Sequence, residues 1–411
     1  MSKYMFFGLP LVSVHKALVS VMSELSSRGN IVVYYNTADF SSKSNDAFIS
    51  KAYPSYATGY DTSRIGNNTS FFAFAEMLLD TAVSLFDFLR NEVSLEKPDL
   101  IAHSHLALWG KLIAIDSKLP AISIYTTFSL SQHVMIPFFR RQQEKTKVYN
   151  NTGIESVMRL QKKYQSFYKK VGFSFKPDIW DSYINKEKCN IFLILKEFSF
   201  ENDPVEGSST FVGYPVNQPN SCKSKKLIYV SMGTIFNDDV DLFKLIIDVL
   251  GDLNIPSIVS IGSKINKSDI GTVAPNVTLV DFIDQESVLS NAMIFVTRGG
   301  MASIHEAVAS VTPLVVIPEI PEQQLTAEKV EELGIGIQIS VMQLTKGKLL
   351  NALELILSNL DFYSNNLNAL IAKQSLIAPS ELASNVIERY YSSCNNHDNQ
   401  QYNQQIIYKQ E

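Results

Sequence analysis

Short apolar runs recur along the chain, separated by stretches in which apolar positions return with helical spacing. In the first half these runs are KYMFFGL (3–9), IVVYY (31–35), DLIAH (99–103), AISIY (121–125) and IFLIL (191–195). In the second they are LIYVSMG (227–233), SIVSIG (257–262), VTLVDF (277–282), MIFVTR (293–298) and PLVVIP (313–318). A strand that reads as a continuous apolar run is covered on both faces, which is the habit of parallel sheets flanked by helices. Segments such as ALVSVMSELSSRG (17–29) supply the helical half of the pattern. The alternation predicts βαβ units and an α/β fold with two doubly wound parallel sheets.

Between the two sets of strands lies ENDPVEGSSTFVGYPVNQPNSCKSKK (201–226), rich in proline, glycine, serine and asparagine and without apolar periodicity. Such composition marks a boundary. The chain is therefore divided into an N-terminal domain over 1–205, a linker over 206–226 and a C-terminal domain over 227–378. PSELASNVIERYY (379–391) has helical periodicity and predicts a helix over 379–395. Residues 396–411 are rich in glutamine and asparagine and read as a polar tail.

A chain of 411 residues exceeds what one core comfortably serves, in agreement with two domains. The formal net charge of -5 and the absence of a basic run argue against a nucleic-acid partner. Cys189, Cys222 and Cys394 are scattered, so they announce neither a disulfide framework nor a metal site, and a cytoplasmic location is expected. Pro10 and the charges of Lys16, Glu24 and Arg28 break the apolar N-terminus, which fits neither an export signal nor a membrane span.

Chemistry concentrates at the ends of the later strands. TRGGMASIHE (297–306) takes a strand through two glycines into a helix, and the amides of such a first turn are a natural seat for phosphate. VSMGTIF (230–236) ends a strand at Gly233 and Thr234. In SIGSKINK (260–267), Ser263 and Lys264 follow a strand. In VDFIDQESVL (280–289), Phe282 offers a face for a planar base and Gln285 opens a helix. Each alone is an ordinary turn; their gathering at carboxyl ends of parallel strands, where open α/β sheets bind ligands, points to a site.

The chain resembles the inverting UDP-sugar glycosyltransferases of GT-B fold, in particular their macrolide-glycosyltransferase branch. VSMGTIFND (230–238), FIDQESVLSNAMIFVTRGGMASIHEA (282–307) and PLVVIPEIPEQQLTAEKVEELGIG (313–336) carry the resemblance. PDLIAH (98–103), LWGK (108–111) and YTTF (125–128) extend it to the first half. It implies two Rossmann-like domains facing each other across a cleft, with the final helix packing back on the first domain. It implies a UDP-sugar as donor and a small hydrophobic natural-product acceptor, with no metal or other cofactor. Gly299, Gly300 and Ser303 match the family's phosphate turn, and Glu306 matches the acid that accepts the ribose hydroxyls. Phe282 matches the aromatic under uracil, and Glu322 and Gln323 match the pair that holds the sugar. Arg298 stands where the family commonly has a histidine on the diphosphate, and a guanidinium can bind phosphate through two parallel hydrogen bonds.

The acceptor end departs from the family. Its general base, a histidine, falls on Val14, with His15 one residue later, and its orienting aspartate falls on Ser104, between His103 and His105. A one-residue slip on a helix turns a side chain by roughly 100°. Two readings follow. In the first, the chain transfers a sugar with His15 as base; in the second, it is a GT-B protein that no longer glycosylates and serves as an auxiliary in a biosynthetic pathway.

Overall fold

The computed structural model describes residues 1–42, 46–57, 71–146, 152–174, 184–200, 208–216, 225–233 and 237–407. They form two compact units. One gathers the described residues up to Pro215 together with those from Ser375 onward, and the other runs from Val216 to Gln374.

The first unit is built on a seven-stranded sheet of β1 (Lys3–Phe7), β2 (Ile31–Asn36), β3 (Ile49–Ala52), β4 (Leu100–Ser104), β5 (Ala121–Tyr125), β6 (Cys189–Phe192) and β7 (Ser208–Phe211), in the order β3-β2-β1-β4-β5-β6-β7. The second holds β8 (Leu227–Ser231), β9 (Ser257–Ser260), β10 (Val277–Val280), β11 (Ala292–Thr297), β12 (Leu314–Val316) and β13 (Gly336–Gln338), in the order β10-β9-β8-β11-β12-β13. Adjacent strands are parallel throughout, with Phe7 paired to Tyr35 and His103 in the first sheet and Ser231 paired to Thr297 and Ser260 in the second. Both sheets are doubly wound, so the strand order reverses at β1/β4 and at β8/β11, the places where loops diverge to opposite faces and leave a crevice.

The central strands bury both faces, as their unbroken apolar runs require. In the second unit Ile228, Val230, Val259, Ile294 and Val296 pack under Phe243 and Ile246 of the helix Val240–Leu253. That helix begins at Asp239, whose carboxylate accepts from the Leu242 amide. Three strands escape the sequence pattern: β3, β7 and β13 are short and at least partly polar. β7 lies inside the stretch assigned to the linker, so the first unit continues to Pro215 rather than stopping at 205. The C-terminal helix spans Pro379–Ile407 and so continues into residues read as a tail.

That helix belongs to the first unit, against the helix Val12–Ser27. Arg28 Nη1 donates to Glu388 Oε2 and to Asn385 Oδ1, each at 2.8 Å, and Asn30 Nδ2 donates to Glu388 Oε1 at 2.9 Å.

Gly110, in the helix Leu108–Ser117, sits so close to β4 that an added Cβ would stand 2.4 Å from His103 Cβ and 3.2 Å from the Phe7 ring. Gly110→Ala must push this helix off the sheet. It should lower the stability by about 1–3 kcal/mol, read from the urea midpoint at unchanged slope.

Candidate active site

In the second unit, β11 delivers the chain to Gly299, whose φ of +91° is left-handed and whose added Cβ would meet Val316 Cγ1 at 2.6 Å. Gly300 then begins the helix Met301–Ala309 in extended conformation, and an added Cβ there would meet nothing within 4 Å. The turn is thus tight against β12 on one side and open on the other. No side chain caps the helix, so its first amides are directed at whatever lies before the turn. An anion suits this position.

One turn along the same helix, Glu306 is only 6% exposed. A buried carboxylate needs partners, and Gln285 Nε2 donates to Glu306 Oε2 at 2.6 Å and to Ser303 Oγ at 3.1 Å. Tyr229 donates to Gln285 Oε1 at 3.4 Å. Burial pushes the Tyr229 phenol up to about 12, so it keeps its proton. Three candidates, Gln285, Ser303 and Glu306, are therefore one connected set. Phe282 precedes them at 67% exposure, a large aromatic face in solvent. Ser263 and Gly233 are exposed at the ends of the neighbouring strands, while Thr234 lies outside the described residues.

Glu322 and Gln323 open the helix Pro321–Glu332. Gln323 Oε1 accepts from the Glu319 amide at 2.9 Å and the Ile320 amide at 3.3 Å, so the side chain caps this helix. Arg298 is 3% exposed, and its Nη2 lies 2.6 Å from Glu319 Oε2. Burial depresses the Arg298 pKa and raises that of Glu319, in each case more strongly than their mutual attraction opposes. Asp238 and Asp239 add negative charge around the pair. The guanidinium expected on a phosphate is engaged with a carboxylate. Glu319 was missed by sequence reasoning, although an acid in PEIPEQQ was there to be weighed.

In the first unit, Val14 is buried in the core and His15 is half-buried in the first turn of the helix Val12–Ser27. His15 Nδ1 lies 3.1 Å from the Tyr34 hydroxyl, and Phe40 meets the imidazole edge-on at 5.2 Å between ring centres. Ser104 ends β4 fully buried, and its hydroxyl has no hydrogen-bond partner, so it makes no hydrogen bond to His15. His103 is buried, with Nδ1 3.1 Å from the Ser104 carbonyl and Nε2 3.3 Å from Glu187. His105 is buried and stacks on Tyr125 at 4.9 Å, and burial pushes its imidazole down to about 3. His105 is thereby a neutral core residue, and His103 is occupied by its neighbours. Among the described histidines at these strand ends, His15 is half-buried while His103 and His105 are buried.

Residues 244–389 match the family model for the C-terminal domain of erythromycin biosynthesis protein CIII-like proteins. The chain is 26% identical over 377 residues to an uncharacterized UDP-glucosyltransferase, YojK, of Bacillus subtilis (strain 168), covering 87% of this chain and 90% of that one. It is 22% identical over 377 residues to the demethyllactenocin mycarosyltransferase of Streptomyces fradiae, covering 87% and 80%. The crystal structure of the glycotransferase of kitacinnamycin superposes with a TM-score of 0.80 at 21% identity, over 95% of this chain and 99% of that one.

His105 and His305, the latter pushed down to about 4 by burial, stay neutral in the fold but charge in the unfolded chain. Their folded pKa values are depressed, so the stability they contribute is full above the ordinary imidazole value of about 6.5 and is lost as pH falls toward those values. Urea melts from about pH 7 to pH 4 should lose up to about 1.4 kcal/mol per pH unit for each histidine. His105→Phe should remove roughly half of this histidine-dependent slope.

Proposed function

We propose that this GT-B glycosyltransferase moves a sugar from UDP to an oxygen of a small, largely apolar natural product, with inversion at the anomeric carbon. The observation that supports it most is the pairing, at the second sheet's switch point, of an open helix start at Gly300 with the buried Glu306 carboxylate held by Gln285. An uncapped helix start takes a diphosphate. A carboxylate fixed one turn further accepts from two vicinal hydroxyls, which a ribose supplies. Phe282 then offers its exposed face to uracil, and Glu322 with the amide of Gln323 meets the hydroxyls of the donor sugar.

In this reading the transfer is a single displacement without metal or prosthetic group. The acceptor oxygen attacks the anomeric carbon as the bond to the diphosphate breaks, and the turn at Gly299 and Gly300 stabilises the charge that develops on the leaving group. Arg298 adds to that stabilisation when it exchanges Glu319 for a phosphate oxygen. In this reading His15 takes the proton that the acceptor hydroxyl sheds as the new bond forms. The likeness to glycosyltransferases over nearly the whole length favours this reading over an auxiliary role. No helix among the described residues is long and apolar enough to cross a membrane. A cytoplasmic location is proposed on the scattered cysteines of the sequence.

Incubation with several UDP-sugars and a mixed aglycone library should release UDP and yield products heavier by one glycosyl unit. Absence of both with every combination would sink the proposal. Glu306→Ala should weaken UDP by about 1.5–3 kcal/mol in calorimetry, the range for hydrogen bonds to a charged group, and leave uracil binding unchanged. Equal loss for uracil and UDP would move Glu306 away from the ribose.

A further inference from the structure

Arg298 and Glu319 leave neighbouring strands side by side. Arg298 lies between the end of β11 and Gly299, and Glu319 follows the end of β12, where Thr297 pairs with Val316. Their contact, Arg298 Nη2 to Glu319 Oε2 at 2.6 Å, therefore spans the two loops that border the glycine turn. It is almost closed to water: Arg298 is 3% exposed and the Glu319 side chain 14%. Glu319 Oε2 makes no hydrogen bond, so the guanidinium holds it by charge. The backbone of Glu319 is fixed, because its amide donates to Gln323 Oε1 at 2.9 Å. A change of partner at Arg298 is thus a swing of side chains on a fixed frame.

The surroundings favour separation once another anion arrives. Asp238 and Asp239 bring negative charge to bear on Glu319 from the start of the helix Val240–Leu253, and Asp239 is held there by the Leu242 amide. Against them stands Arg298. Burial raises the Glu319 pKa and lowers that of Arg298, in each case more strongly than the attraction between them opposes. A carboxylate that lost Arg298 while keeping both aspartates would be costly to leave charged, and a proton from water removes that cost. We propose that Glu319 is the internal anion which a donor's diphosphate displaces from Arg298, and that the displaced carboxylate takes a proton from solvent as the donor binds.

This deepens the transfer proposed above and rests on its placing of the diphosphate at the Gly299–Gly300 turn. Glu319 is a positioning residue, acting through Arg298: it neutralises the guanidinium in the absence of donor and yields it when phosphate arrives. Binding raises the pKa of Glu319. Affinity is therefore greatest where the unliganded protein already holds the proton, and falls as pH rises through the window between the two values. That window lies above the ordinary carboxylate value of about 4.3.

Calorimetry of UDP-glucose binding to the full chain, from about pH 5.5 to about pH 8.5, tests this. The diphosphate of UDP-glucose has no proton to lose in that range, whereas free UDP has a last ionisation at about 6. Wild-type affinity should fall with rising pH, by at most about tenfold per unit for one linked proton, and buffers of different ionisation enthalpy should report proton uptake. Glu319→Gln should bind UDP-glucose at least about tenfold more tightly than the wild type at the alkaline end and converge with it toward the acid end. The part of the uptake lost in this variant is the part carried by Glu319. Uridine, which brings no phosphate, should show neither effect; a matching effect on uridine overturns the proposal. A pH-independent wild-type affinity without proton uptake overturns it too, even if Glu319→Gln fails to fold. If UDP-glucose binds and Glu319→Gln keeps the wild-type profile, the Glu319 assignment falls and the transfer reading stands. If neither protein binds UDP-glucose or UDP at any pH, both fall together.

Discussion

The parallel pairing of β8 with β11, Ser231 opposite Thr297, is the constraint on which the second unit's chemistry rests. Parallel neighbours cannot be joined by a tight turn, so each must send its chain away over one face of the sheet. At such a pair in a doubly wound sheet the two departures go to opposite faces, which leaves a crevice at the strand ends. The same holds where β1 meets β4 in the first sheet, with His15 following one strand and Ser104 ending the other. Both sets of candidate residues are consequences of strand order before they are consequences of residue type.

Burial then sorts the charges. Glu306 accepts from the neutral amide of Gln285, which orients the carboxylate without adding a charge of its own. Arg298 is paired with another charge, and for both partners desolvation outweighs the mutual attraction. Ion pairs of this kind contribute little net stability but are costly to break from one side. The second unit therefore presents a carboxylate oriented by a neutral group and a cation held by an opposite charge.

Much of the fold was legible because strands covered on both faces must be apolar throughout, and IFVT, LIYV and AISIY can hardly be anything else. The edge strands were hidden for the converse reason: SSTF and ISKA pair on one side only and carry no continuous apolar signal. The glycine turn was visible since it is local. The ion pair of Arg298 with Glu319 joins positions brought together by the β11–β12 ladder, and no local pattern announces such a contact. Tyr34 and Asn36 were read simply as part of an apolar strand, though their spacing of two puts them on one face of β2, where both reach the same hydroxyl-centred cluster.

The clamp of Arg28 on Glu388 has a further effect through connectivity. The chain leaves the first unit after Pro215 and rejoins it at Ser375, so Val216–Gln374 is held at both ends by one body. If that segment alone unfolds, it becomes a closed loop and not a free tail, and it gains less conformational entropy than an untethered chain of equal length. Detaching the last helix opens the loop. A few contacts on the surface of one unit thereby set the entropy available to the other.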